Sequence, residues 1–144
     1  TLIKEDGTGK VDANSYATAA DGDAYHDGHL YATAWTGATT PNKEKALVMA
    51  TRLIDGEYQF NGFKRSDAQA LQWPRERCPD PDRAGVSIVA GALSRFGGDA
   101  SVSSDVVPAR VMQATCELAR ELIVADRTAT PPGEGVTLMR AAAG

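Results

Sequence analysis

The chain has 144 residues, enough for one hydrophobic core and too few for two. Its make-up (42% hydrophobic, 24% charged) is that of an ordinary globular protein, while 14 Gly and 7 Pro assign much of it to loops. The net charge of -4 has the wrong sign for gripping phosphates and argues against DNA binding as the main activity. No apolar run approaches the ~18 to 20 residues that span a bilayer, and TLIKEDGTGK lacks the apolar core of a signal peptide. A soluble protein made in the cytoplasm, with no membrane partner, is expected.

Residues 1–14 are polar, contain Gly7 and Gly9, and read as an extended N-terminal arm ahead of a helical domain over 15–126. Thr18 and Asp21 have the spacing of a capping box, which predicts a first helix from about Ala19 to His29, weakened by Gly22 and Gly28. Thr40 as N-cap and Pro41 at the first helical position open a second helix that runs to about Ile54, with Gly56 placed to end it. Steps of ~100° gather Ala46, Leu47, Ala50, Leu53, Ile54 and Tyr58 on its core face. Val48 and Met49 fall outside that arc, beside Lys45 and Arg52, where another subunit could meet them. After the turn NGFKRSD, the piece AQALQWPR is stopped by Pro74, and Trp73 is expected to fill a gap in the core.

Residues 76–106 mix prolines, GVSIVAGALSRF and GGDASVSSD, which reads as a long loop holding a short β-hairpin and offering partner contacts. The third helix, Pro108 to Asp126, has the broadest apolar stripe: Val111, Met112, Thr115, Leu118, Ala119, Leu122 and Ile123, with Arg110, Gln113, Glu117, Arg120 and Glu121 facing away. Cys116 lies beside that stripe. The tail 127–144 carries two prolines before a short apolar end and reads as a C-terminal arm that orders on a partner. The expected fold is mainly α: a bundle of three to four helices with a long loop and two arms.

The residues that could carry chemistry do not assemble into a known site. His26 and His29 share one helix face near Asp23 and Asp27, but zinc sites draw ligands from a second element, so a solvated face is expected. ADGDAYHDG departs from a calcium loop at Tyr25 and His26, and Val11 stands where DGTGK would need Ser or Thr to be a phosphate loop. No nucleophile signature surrounds Cys78, and Cys78 and Cys116 read as two separate reduced thiols. The expectation is a non-enzymatic protein with no catalytic, cofactor or metal site. Lys64, Arg65, Arg75, Arg77 and Arg83, interleaved with Phe60, Phe63 and Trp73, offer the best case for single-stranded nucleic acid. Asp67, Glu76, Asp80 and Asp82 interrupt them, so a salt-laced surface around an aromatic cluster is preferred.

Several blocks stand in a fixed order: DANSYATAADGDAYH (12–26) with Tyr16 and Tyr25, then Trp35, KALVMATRLIDGEYQFNGFK (45–64), AQALQWPR (68–75) with Trp73, Pro74 and Arg75, and VVPARVMQATCELARELI (106–123) with Leu118 and Leu122. This pattern resembles a family of tailed-phage and prophage proteins labelled DnaT-like single-stranded DNA-binding and regarded as head–tail connector, adaptor or head-completion proteins. The resemblance implies a ring, commonly of about twelve copies, docked under the portal protein of the capsid. Such a ring extends the channel for passing double-stranded DNA and offers a platform to a downstream neck, stopper or tail-terminator protein. Its place would be the virion neck. Within that reading Val48, Met49, Arg52, Arg110, Glu117 and Arg120 are candidate subunit contacts, and Val136, Leu138, Met139 and Arg140 a candidate portal-docking arm. The alternative is a single-strand binder using Lys64, Arg65, Trp73, Arg75 and Arg77. The net charge of -4 favours a channel wall over a protein that grips DNA.

Overall fold

The computed structural model describes residues 1–82, 86–89, 92–95 and 101–130, the two short internal stretches as backbone only. The chain is mainly α, as its periodicity predicts: α1 (Ala19–Asp27), α2 (Thr33–Thr36), α3 (Thr40–Glu57) and α4 (Ala109–Val124), with two small antiparallel ladders.

The capping box of α1 forms as expected. Asp21 N donates to the Thr18 hydroxyl at 3.1 Å, and Thr18 N donates to the Asp21 carboxylate at 2.7 Å. Lys4 adds an ion pair to the same carboxylate at 2.8 Å, tying the N-terminal segment to the helix. Gly22, which weakens α1 as a helix, has a packing reason to be there. A Cβ at this position would lie 2.3 Å from Cζ2 of Trp35, so only glycine lets the indole lie flat on the helix backbone. Trp35 is carried by α2, a single turn too short to leave a periodic trace in sequence. Its Nε1 donates to Asp23 at 2.8 Å, and Lys43 pairs with that carboxylate at 2.7 Å while its ammonium sits 5.3 Å from the ring centroid.

Helix α3 begins one residue earlier than expected, with Thr39 as N-cap, and continues through Gly56 instead of ending at it. Ala46, Leu47, Ala50, Thr51 and Ile54 form the buried face. Tyr58, assigned to that face from sequence, is exposed: it follows the last helical residue with an extended backbone (φ -110°, ψ 137°) and leaves the helical phase. Helix α4 packs along α3. Its most buried positions are Thr115, Cys116 and Ala119, so Cys116 sits at the centre of the interface and not beside it. Small residues there let the two backbones approach, while Met112, Leu118, Leu122 and Ile123 close the rim. Both cysteines are free and buried, and burial pushes the Cys116 thiol up to about 11.

A second apolar cluster, Ala13, Tyr16, Leu71, Trp73 and Cys78, lies under the loop segments. Trp73 fills it as expected, edge-on to Phe60 at 5.5 Å. Strands β1 (Phe63–Lys64) and β2 (Arg75–Glu76) pair antiparallel, with Phe63 opposite Glu76. The hairpin expected within 76–106 is present as β3 (Val86–Val89) and β4 (Ala92–Arg95), Val86 opposite Arg95. Its base is tied down where Val102 N donates to Cys78 O at 2.8 Å.

Two larger sequence expectations also change. The N-terminal stretch is not an extended arm: Glu5 N donates to Ser15 O at 2.9 Å, and the loop between them winds around the buried Glu5 carboxylate. That carboxylate accepts from the backbone N–H groups of Gly7 and Gly9 at 2.9 Å and of Lys10 at 2.8 Å. Gly7 is required, since its φ of +98° is left-handed and a Cβ would strike Asp105 O. The histidines, in turn, are not on a solvated face. His26 is 2% exposed, bonded through Nε2 to Cys116 O at 3.0 Å, with Nδ1 unpartnered among the described residues. His29 reaches Glu117 at 3.3 Å through Nε2 and accepts from Tyr31 N at 2.9 Å through Nδ1.

Replacing Gly22 by Ala should destabilise the fold by about 1 to 3 kcal/mol despite the better helix propensity of Ala, because the indole must move. Gly56→Ala, with nothing within 4 Å of the added methyl, should stabilise by up to about 1 kcal/mol; urea unfolding of the two variants checks the contrast. Burial holds the His26 imidazole below its ordinary 6.5. The unfolded chain therefore takes up a proton first on acidification, and the stability present in full above about pH 6.5 falls as pH drops toward the lower folded value. His26→Gln should flatten that part of the stability profile between pH 7.5 and 5.5.

Candidate interaction surfaces

Three of the sequence blocks meet in one buried network. The Tyr16 hydroxyl donates to Asp55 Oδ1 at 2.5 Å, Gln72 N donates to Asp55 Oδ2 at 3.0 Å, and Trp73 N donates to the Tyr16 oxygen at 3.2 Å. One carboxylate thus joins the segment before α1, the end of α3 and the WPR turn. Burial pushes the Asp55 carboxyl up, against the pull of these donors, and pushes the Tyr16 phenol well above its ordinary value.

The residues named for single-strand binding are mostly engaged within this framework. Trp73 is buried, and its peptide bond to Pro74 is cis. Arg75 is 7% exposed and laces the 60–62 turn to the WPR turn. Its guanidinium donates to the carbonyls of Asn61 at 2.8 Å, Gly62 at 2.7 Å and Phe60 at 3.3 Å, and to both oxygens of Gln72. Lys64 donates to Gln69 O at 3.3 Å, and Arg65 reaches Gly7 O at 2.8 Å. What remains outside is Phe63, 50% exposed, with the Arg77 guanidinium 5.8 Å from its ring centroid. Arg83 lies outside the described residues.

The proposed subunit contacts divide. Val48, Met49 and Arg52 are brought together on the outer side of α3, where with Leu2, Lys45 and Leu53 they line a groove of about 650 Å³. A smaller hollow of about 280 Å³ continues from Met49 and Lys45 toward Leu122 and Ile123 of α4. Glu117 and Arg120, expected to face away from the core, are instead tied within the chain. Arg120 pairs with Glu117 at 2.6 Å and Glu121 at 2.8 Å, its Nε is buried, and it reaches Tyr31 O at 3.4 Å. Glu117 also accepts from Tyr25. Burial works against ionisation of Glu117, but the hydrogen bond from Arg120 holds its carboxyl below the usual range. Arg110 is exposed and pairs with exposed Asp82 at 2.9 Å, a contact of little energetic weight. Val136, Leu138, Met139 and Arg140 lie outside the described residues.

One surface was missed from sequence. Leu30 and Tyr31, between α1 and α2, are 84% and 74% exposed, the most solvent-facing large apolar pair among the described residues. Two adjacent apolar residues following Gly28 and His29 in a turn were the available signal. Among the described residues no three His, Cys, Asp or Glu side chains are grouped to hold a metal ion. No described helix is long and apolar enough to cross a membrane.

Arg75→Ala should cost about 1 to 3 kcal/mol of stability, since it leaves three part-buried carbonyls of the 60–62 turn without their shared donor. Arg75→Lys should recover little, because an ammonium cannot span both turns as the planar guanidinium does; thermal unfolding measures both.

A family model described as "Putative DnaT-like ssDNA binding protein" matches residues 1–142. No curated protein and no solved structure matches. The match spans nearly the whole chain and includes the three blocks joined by the Asp55 network; the chain belongs to the DnaT-like ssDNA-binding protein family.

Proposed function

We propose that the chain is a non-enzymatic assembly subunit: a head–tail connector of a tailed phage that forms a ring on the portal, extends the DNA channel and seats the next neck protein. The observation that carries this reading is a division of labour among the surface residues. Trp73 and Arg75, the residues best suited to stacking on and pairing with a single strand, are buried in the fold. The outer side of α3, by contrast, leaves Val48, Met49 and Leu53 along an open groove. Apolar surface of that kind on a small domain marks a protein contact. The net charge of -4 is consistent with a wall past which DNA slides. The ring, the portal, the downstream neck partner and the virion location all rest on the block-by-block resemblance.

A second reading is favoured by the family description and by Phe63. A half-exposed ring beside Arg77, with Lys64 and Arg65 on the same segment, has the elements of a small stacking platform for single-stranded DNA. Fluorescence titration with oligonucleotides at two salt concentrations separates the two. The connector reading expects no saturable binding below about 100 μM at physiological salt, a limit at the weak end of non-specific association. Salt-sensitive micromolar binding that Phe63→Ala or Arg77→Ala weakens would establish the second reading instead. Sedimentation of the same protein should show association into a closed species, and a strict monomer at millimolar concentration would count against a ring.

A further inference from the structure

Leu30 and Tyr31 form a projecting apolar tip that the fold holds in place. Tyr31 N donates to His29 Nδ1 at 2.9 Å, the Tyr31 carbonyl accepts from Arg120 at 3.4 Å, and the next residue, Ala32, is buried. Both bonds hold the Tyr31 backbone, through the side chains of His29 and Arg120, so they set the direction of the tip without involving its own side chains. A rigid aromatic anchor loses little entropy on docking. The tip hangs from α1 and α4. The groove lies across α3 from them, because the α3 face that packs inward is Ala46, Leu47, Ala50 and Ile54, and the groove residues Lys45, Val48 and Arg52 occupy the opposite side of that helix. The tip and the groove therefore belong to different faces of the molecule, and one copy cannot satisfy both by itself.

We propose that the groove on α3 receives the Leu30–Tyr31 tip of a second copy of this chain, giving a head-to-tail interface. This rests on the reading of the chain as a ring-forming subunit and names the two surfaces that would make the ring. The groove, about 650 Å³, is within the range that encloses a drug-sized apolar group and accommodates a leucine and a tyrosine side chain together. The charges match as well. Asp27, one turn before the tip, is exposed, and so are Lys45 and Arg52, which outnumber the one carboxylate lining the groove, Glu44; among the described residues none of Asp27, Lys45 and Arg52 makes an ion pair. Opposite charge flanking each half favours tip against groove over tip against tip. A contact between unlike patches repeats with a fixed rotation, which closes into a ring or runs on as a filament.

The test uses two complementary variants of the full chain. The tip variant carries Leu30→Ala and Tyr31→Ala; the groove variant carries Lys45→Glu and Arg52→Glu. Two of the four positions are apolar and two basic, all four are exposed, and an unchanged thermal midpoint shows that each variant folds. Mass photometry and sedimentation velocity should find the natural chain assembled, and each variant shifted at least about 30-fold toward higher concentration for half-assembly, the loss of one strong anchor. Mixed in equal amounts, the two variants should form a dimer and stop, since only the tip of the groove variant and the groove of the tip variant remain. Assembly of either variant at the natural concentration would overturn the proposal while leaving a ring by another surface. Variants that are monomeric but fail to pair on mixing would overturn it too, and a natural chain that never associates would remove both the proposal and the ring reading.

Discussion

The Asp55 carboxylate is the point through which the loop-rich half of the molecule is held to its helices. It accepts from the Tyr16 hydroxyl and from Gln72 N, while the Tyr16 oxygen takes the Trp73 N–H. Both carboxylate oxygens are therefore committed, each to a donor from a different stretch of chain. An amide in its place would turn a donor toward one of those donors, so only an acceptor on both sides serves. Burial raises the free energy of the charged form, and the site is held by its surroundings against that cost. Arg75 continues the same logic, reinforcing the two-residue ladder of β1 and β2 with side-chain bonds to the turn that faces it.

What could be read in the sequence follows from how far each feature repeats. Helices α3 and α4 extend over several turns, and their apolar stripes identified them and most of their buried faces. The capping box at Thr18 is a local pattern with its own chemistry and was equally legible. Features set by a single distant contact were not. Gly22 reads as a flaw in a helix until Trp35 is placed on it, and Glu5 reads as one acidic residue in a polar arm until three amides turn toward it. His26 fails in the same way: its burial is decided by α4, about ninety positions away.

The candidate interaction residues divide along similar lines. Position on a helix wheel located Val48, Met49 and Arg52 on the outer side of α3, where they line the groove. The same wheel placed Glu117 and Arg120 in solvent, because it treats α4 as having one packed side. In the fold α4 has α3 on one flank and the α1–α2 corner on another, and the second flank takes up Glu117 through Tyr25 and His29. The basic and aromatic stretch illustrates the converse: Trp73 and Arg75 have the composition of a nucleic-acid platform, yet they are framework.

The loop closed around Glu5 bears on which anions this part of the molecule can take up. Backbone amides curled toward one point form a receptor for an anion such as phosphate. Here the receptor carries its own guest, covalently attached and buried. A tethered carboxylate is present at a local concentration that free or polymeric phosphate cannot approach. The glycine-rich loop is thereby filled from within and closed to an outside anion.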